Sequence, residues 1–241
     1  MAYKNLVLTE TNVGNYFYEE AMKTLRANVQ FSGKNNKVVM VTSAFSAEGK
    51  SDISFNLAKE IGKTGKKVLL IDADIRKSVY KSRFDIQGET KGLSQYLSGQ
   101  VEQIDDVVYK TNFDNLYLIL AGPHAPNPSE MLGDELFEQM LKAARQVFEY
   151  VIVDTPPLGA VVDAAVISQY CDGAMIVIES GITSYRACQK IKKQLEKSGC
   201  KILGAVLNKV DVQRHAYRSN GYGRYYKKYH RYYRYGYGEK Y

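Results

Sequence analysis

Six short apolar runs punctuate the chain, at residues 38–42, 68–71, 116–120, 151–153, 174–178 and 202–207. They are rich in β-branched side chains and show little polar alternation, so each reads as a strand buried on both faces. Amphipathic stretches of helical length lie between most of them, at 51–63, 129–148 and 184–198. This alternation predicts an α/β fold: a mainly parallel, doubly wound sheet with helices on both faces and right-handed crossovers. Such sheets hold ligands at the carboxyl ends of their strands, so the residues after each run are the first candidates for chemistry. Ahead of the first strand, Asn15 is placed to cap a helix reaching about Phe31. Tyr18, Met22, Leu25 and Val29 fall at i, i+4, i+7 and i+11, one apolar stripe. Glu19, Glu20, Lys23 and Arg26 lie off that stripe, where a solvated charged face is expected.

Charge divides the chain. The net formal charge is +7 over 241 residues. Residues 214–241 contain five Arg, three Lys and one Glu, which accounts for all of it. They also hold ten of the twenty tyrosines, four glycines and no Leu, Ile, Val, Met or Phe. Tyrosine interleaved with like charges and glycine is a poor core former, so this segment reads as a disordered tail. The expected organisation is an N-terminal segment and helix over 1–35, a globular domain over 36–213, and the tail. No apolar run reaches the ~18–20 residues needed to span a membrane, and no basic-then-apolar leader opens the chain. Cys171, Cys188 and Cys200 lack metal-ligand or redox spacing and read as buried reduced thiols.

The stretch "FSAEGKSDIS" joins the first apolar run to the helix predicted over 51–63. Strand, tight loop, Gly-Lys-Ser and helix together point backbone N–H groups and a helix N-terminus at phosphates. In that setting Ala47, Glu48 and Gly49 form the loop, Lys50 reaches the outer phosphates, and the Ser51 hydroxyl binds Mg²⁺. Asp72 and Asp74 follow the second run in "LLIDADIR", and Asp154 follows the fourth in "VIVDTPP". Buried carboxylates must be paired, hydrogen-bonded or metal-bound. Three of them converging on the loop suit a metal–nucleotide, with Asp154 on the metal and Asp72 or Asp74 accepting a proton from an attacking hydroxyl.

"VTSAFSAEGKS", "VLLIDADIR", "VIVDTPP" and "LAGPHAPNPSEML", in this order, resemble the bacterial tyrosine kinases of capsule and exopolysaccharide export. The second motif is similar to that family's Walker A-prime and the third to its Walker B. The resemblance implies a P-loop NTPase fold, ATP and Mg²⁺ as cofactors, and autophosphorylation of the C-terminal tyrosines. It maps Lys50 onto the phosphate-binding lysine, Asp72 onto the base, and Ser51, Asp74 and Asp154 onto the metal side. Asn208 falls where related ATPases contact the base. Glu20, Lys23 and Arg26 match an oligomerisation motif in which Lys23 replaces an arginine; a point charge there replaces a bidentate fork. The implied acceptors are Tyr217, Tyr222, Tyr225, Tyr226, Tyr229, Tyr232, Tyr233, Tyr235, Tyr237 and Tyr241. The implied partners are a transmembrane activator protein, further copies in a ring and a cognate tyrosine phosphatase. Nucleic acid is not expected. The implied location is cytoplasmic, at the inner face of the membrane through the activator.

Two departures from the family pattern bear on the loop. Ala47 stands where glycine is common, tolerable at negative φ and costly otherwise. Asp52 stands where threonine is common, and an ionised carboxylate there either repels the α-phosphate or turns away and favours the helix dipole. The rival readings are a partitioning-type ATPase, which would carry a lysine where Phe45 stands, and a nucleotide-responsive regulator whose basic tail binds nucleic acid.

Overall fold

The computed structural model describes residues 3–10 and 16–210. Asn15 and the tyrosine-rich tail therefore lie outside the described residues. The six apolar runs form β2 (Val38–Ser43), β3 (Val68–Asp72), β5 (Leu116–Ile119), β6 (Tyr150–Asp154), β7 (Gly173–Glu179) and β8 (Ile202–Asn208). Strands β2, β3 and β6 are buried at every position, as expected of their unbroken apolar sequence, whereas β8, equally apolar, is an edge strand with no fully buried position among the described residues. Two short strands that lack such runs, β1 (Lys4–Leu6) and β4 (Val108–Thr111), complete an eight-stranded sheet in the order β1-β4-β5-β3-β6-β2-β7-β8. β4 runs antiparallel to β5 and the other neighbours are parallel.

Successive side chains of each strand feed opposite layers. Val39 and Val41 pack with residues of α1 (Tyr16–Phe31) and α2 (Lys50–Gly62), among them Met22, Val29, Phe55 and Leu57. Val38 and Met40 pack with Phe137 and Met140 of α6 (Glu135–Val147), Ile167 of α7 (Asp163–Ser168), and Ile191 and Leu195 of α8 (Tyr185–Lys197). Short helices α3 (Tyr80–Arg83), α4 (Leu93–Leu97) and α5 (Pro128–Gly133) fill the connections.

The helix expected over 129–148 is two helices. Asp134 is extended, with φ −73° and ψ 152°, and its carboxylate accepts the Leu136 N–H at 2.9 Å. An aspartate after glycine caps a new helix better than it continues an old one. The apolar stripe of α1 faces the core as expected, with Met22 and Val29 buried. Its charged face is not uniformly solvated. Glu20 and Lys23 pair with each other at 2.7 Å, but Arg26 lies over α2, 3.4 Å from the Glu60 carbonyl and 3.8 Å from its carboxylate. Of the three free cysteines, Cys200 is buried, while Cys171 and Cys188 are only partly so.

Candidate active site

The carboxyl ends of β3, β6 and β2 lie side by side, and β2 leads directly into the Gly-Lys-Ser loop. Gly49 is needed twice there. Its φ is 92°, and a Cβ on it would lie 2.1 Å from Asn208 Nδ2. Asn208, at the end of β8, donates from that nitrogen to the Glu48 carbonyl at 2.9 Å. The buried Glu48 carboxylate accepts the Phe45 N–H at 2.7 Å and the Thr183 hydroxyl. Lys209 donates to the Ala47 carbonyl at 2.6 Å and pairs with Glu179 at 3.0 Å. The first half of the loop is thus fixed by the segment after β7 and the end of β8. Sequence reasoning singled out neither Thr183 nor Lys209, because nothing in the local sequence ties them to residues more than 130 positions away.

Ala47 has φ 65°, the left-handed conformation in which a Cβ is costly. This is the unfavourable branch of the sequence expectation, a strain of roughly 1–2 kcal/mol. Ala47→Gly is expected to relieve it and to raise stability by about 0.5–1 kcal/mol after the greater freedom of glycine in the unfolded chain is counted. A urea midpoint that stays put or falls would show that the loop gains nothing from glycine.

Lys50 opens α2. Its Nζ lies 3.4 Å from both Ser51 Oγ and Asp74 Oδ2. Asp72 and Asp154 are paired across β3 and β6 and both are fully buried. Burial, followed by the Asp154 charge, pushes the Asp72 carboxyl up to about 8, although the Ser78 hydroxyl bonded to it pulls the other way. Burial also raises Asp154, against the Lys50 charge and the Ser51 and Ser54 hydroxyls. Ser54 Oγ donates to Asp154 Oδ1 at 3.2 Å, whereas Asp154 Oδ2 is buried with no hydrogen-bond partner among the described residues. Asp74 accepts the Lys77 N–H at 3.0 Å, and its own N–H points to Asp72 at 3.3 Å.

The three carboxylates share one end of the sheet but form no cage. Among the described residues no three His, Cys, Asp or Glu side chains close on a metal-sized point. Mg²⁺ does not need such a cage, because it keeps several waters and takes one or two carboxylates together with substrate phosphates. The orphaned Asp154 oxygen, beside Lys50 and Ser51 at the start of α2, therefore fits a metal–nucleotide.

The raised Asp72 pKa has a stability consequence. Between about pH 4 and pH 8 the folded chain holds a proton that the unfolded chain releases. The stabilisation is complete below the unfolded pKa and is lost as pH rises through the folded one. The ligand-free protein is expected to lose several degrees of Tm between pH 5 and pH 8, and Asp72→Asn to flatten that slope. Parallel slopes for the two proteins in scanning calorimetry would remove Asp72 as the cause.

Asp52 takes the outward branch of its sequence expectation. Its carboxylate accepts hydrogen bonds from Tyr18 of α1, Arg83 of α3 and, at 3.3 Å, Asn56. Burial and then Asp52 push the Tyr18 hydroxyl well above its ordinary range. The side chain joins three helices rather than crowding a phosphate. Asp52→Ala is accordingly expected to cost about 1–3 kcal/mol through these charge-assisted bonds and to change Mg-ATP affinity less than threefold. Tightening of tenfold or more by calorimetry would restore the repulsion reading.

A second pair escaped the sequence. Arg76, two residues beyond Asp74, grips Asp163 at 2.6 and 2.9 Å, and Ser129 donates to the same carboxylate at 2.6 Å. Asp163 is fully buried, which alone would raise its pKa, yet the Arg76 and Ser129 bonds hold it below the usual carboxylate range. The guanidinium is thus fixed at the rim of the site.

The comparisons agree with this geometry. The AAA domain family matches residues 36–202, more than half of the chain. Tyrosine-protein kinase CpsD of Streptococcus agalactiae is 42% identical over 207 residues, covering 86% of this chain and 90% of that protein. The chain belongs to the bacterial tyrosine-protein kinases. The kinase domain of the Escherichia coli tyrosine kinase ETK superposes with a TM-score of 0.75 at 34% identity, covering 80% of this chain and 75% of that one. The septum site-determining protein MinD of Pyrococcus horikoshii, from the rival ATPase class, superposes at 0.63 with 22% identity over 73% of this chain and 71% of its own. That likeness is one of fold. As a member of the kinase family the chain is an enzyme of phosphoryl transfer, with an ATP-binding P-loop that works with a divalent metal. Among the described residues no helix is long and apolar enough to cross a membrane.

Proposed function

We propose that this chain is an ATP- and Mg²⁺-dependent autokinase that phosphorylates tyrosines of residues 214–241 between subunits and thereby regulates capsule or exopolysaccharide synthesis. The observation that carries the reading is the buried carboxylate group of Asp72, Asp74 and Asp154 set against Lys50 and Ser51. When bound, Mg-ATP supplies the phosphoryl group and part of the charge neutralisation. Lys50 offsets negative charge on the transferring group, as in other P-loop enzymes. Ser51, Asp154 and Asp74 would hold the metal, with the unpartnered Asp154 oxygen available as a donor. Asp72, at the carboxyl end of β3 beside Asp154, is the group assigned to accept the tyrosine hydroxyl proton at its carboxylate. Gly49 lets the loop pass close beside Asn208, whose amide supports it through the Glu48 carbonyl, and Asn208 is the residue assigned to contact the base.

Assembly is the less local part of the reading. Lys23, which is exposed, and Glu20, which is half-buried, are the candidates for subunit contacts, while Arg26 already serves its own chain through Glu60. A ring of copies, a transmembrane activator that holds the kinase at the inner face of the membrane, and a cognate tyrosine phosphatase complete the proposal. The deciding experiment incubates purified protein with Mg-ATP, with and without a cytoplasmic activator segment, and reads phosphotyrosine by antibody. Absence of signal under both conditions, with Mg-ATP bound, would favour a nucleotide-responsive regulator.

A further inference from the structure

Helix α8 carries a row of cations that phosphoryl transfer does not use. Arg186, Lys190, Lys193 and Lys197 stand at i, i+4, i+7 and i+11. On a helix they fall within about 60° of one another, in a line about 16 Å long. All four are exposed. Ile191 and Leu195, buried against the sheet, fix the helix so that this row faces outward. The ion pair within α8 joins Lys192 to Glu196 at 3.0 Å and leaves the row alone. Tyr185, Arg186, Gln189, Lys190 and Lys193 line a shallow groove of about 360 Å³ along it. Four like charges at this spacing repel one another, so the row is a surface that gains from an anionic partner.

We propose that this row docks the phosphorylated form of the chain's own residues 214–241, from the same or a neighbouring copy. The inference rests on the autokinase reading above. Three observations select this occupant. The first is position: Asn208 is paired with Glu179, its carbonyl accepts the Ser180 N–H at 2.9 Å, and α8 starts at Tyr185. The chain therefore leaves β8 at the end of the sheet where α8 begins. The second is reach: the seven residues from 211 to Tyr217 extend to roughly 25 Å, which exceeds the length of the row.

The third is charge. The unphosphorylated segment carries the whole +7 and is repelled by α8. Each phosphotyrosine adds about −1.5 to −2 charges, so four or five cancel that excess and further ones invert it. Arg186 can bind a phosphate with two N–H groups, the lysines act as point charges, and the exposed Tyr185 ring offers a stacking surface to a phosphotyrosine. The same helix thus rejects the substrate form and retains the product form.

The test uses full-length Lys50→Met protein, so that phosphate comes only from a synthetic, fluorescently labelled peptide. The peptide spans residues 224–241 with phosphate on Tyr225, Tyr226, Tyr229 and Tyr232. Anisotropy should show binding that weakens with salt, and at least tenfold weaker binding of the unphosphorylated peptide. Adding Arg186→Gln, Lys190→Gln and Lys193→Gln should weaken phosphopeptide binding at least tenfold. Equal charge loss at Lys66, Lys142 and Lys201 should not. Arg186→Lys with Lys190→Arg and Lys193→Arg should retain binding. If the triple Gln variant melts early, the Lys190→Gln and Lys193→Gln pair takes its place.

Equal binding by the Gln variant, or an equal loss in the control, overturns the proposal. So does a row that binds phosphatidylserine vesicles while leaving phosphopeptide binding untouched in its absence, because α8 would then be a membrane surface. The peptide brings its own phosphates, so these outcomes do not depend on whether the chain makes them. That question is read separately from phosphotyrosine on the Lys50-containing parent in Mg-ATP.

Discussion

Lys50→Met is expected to abolish tyrosine phosphorylation while leaving the fold intact. The ammonium sits at the first position of α2, 3.4 Å from Asp74, with the buried pair Asp72 and Asp154 beyond it. Methionine keeps the stem and removes the charge. Loss of one preorganised electrostatic contact of this kind costs about 10²–10³ in rate. Lys50 also opposes the burial that raises Asp154, so its removal should leave that carboxyl easier to protonate. The measurement is phosphotyrosine formed per subunit in Mg-ATP, with circular dichroism to confirm folding. A folded variant that retains more than a tenth of the parent activity would remove Lys50 from the chemistry.

The second large effect concerns the acceptors. Changing all ten tail tyrosines, from Tyr217 to Tyr241, to Phe keeps ring size and basic charge and removes only the hydroxyls. This variant should bind Mg-ATP normally and show at least tenfold less phosphotyrosine than the parent. Mixed with Lys50→Met protein, it supplies catalysis while its partner supplies acceptors. Phosphate should then appear on the Lys50→Met chain. A mixture that stays unlabelled while the parent labels itself would defeat transfer between subunits. Phosphate confined to tyrosines before residue 211 would move the acceptor site into the body of the protein.

The central strands were legible because burial on both faces leaves an unbroken apolar signature. The 38–42 run and the 151–153 run show it most clearly, and both are wholly buried. The edge strand β1, "KNL", and the antiparallel β4, "VYKT", are short and partly exposed, so their sequence carries no such mark. Asp134 was legible in principle: aspartate after Gly133, with Glu135 and Glu138 in the following turn, is a helix-start signal inside what looked like one amphipathic stretch.

In the site, the residues that end strands were readable from position alone. Their supports were not. Thr183 under Glu48, Lys209 on Ala47, and Asp163 beneath Arg76 are joined across the fold by contacts that only tertiary structure creates. Asp52 shows the same limit. Its type and place suggested repulsion or a dipole effect, and its direction was decided by Tyr18 and Arg83 on other helices.

The outside bracing of the loop bears on how much substitution its backbone can absorb. A backbone held from without, by Asn208, Thr183 and Lys209, keeps its shape when a glycine within it is replaced, because neighbours over-determine the conformation. Ala47 is tolerated on those terms. In this loop the braces, rather than the number of glycines, decide whether the phosphate-binding shape is kept.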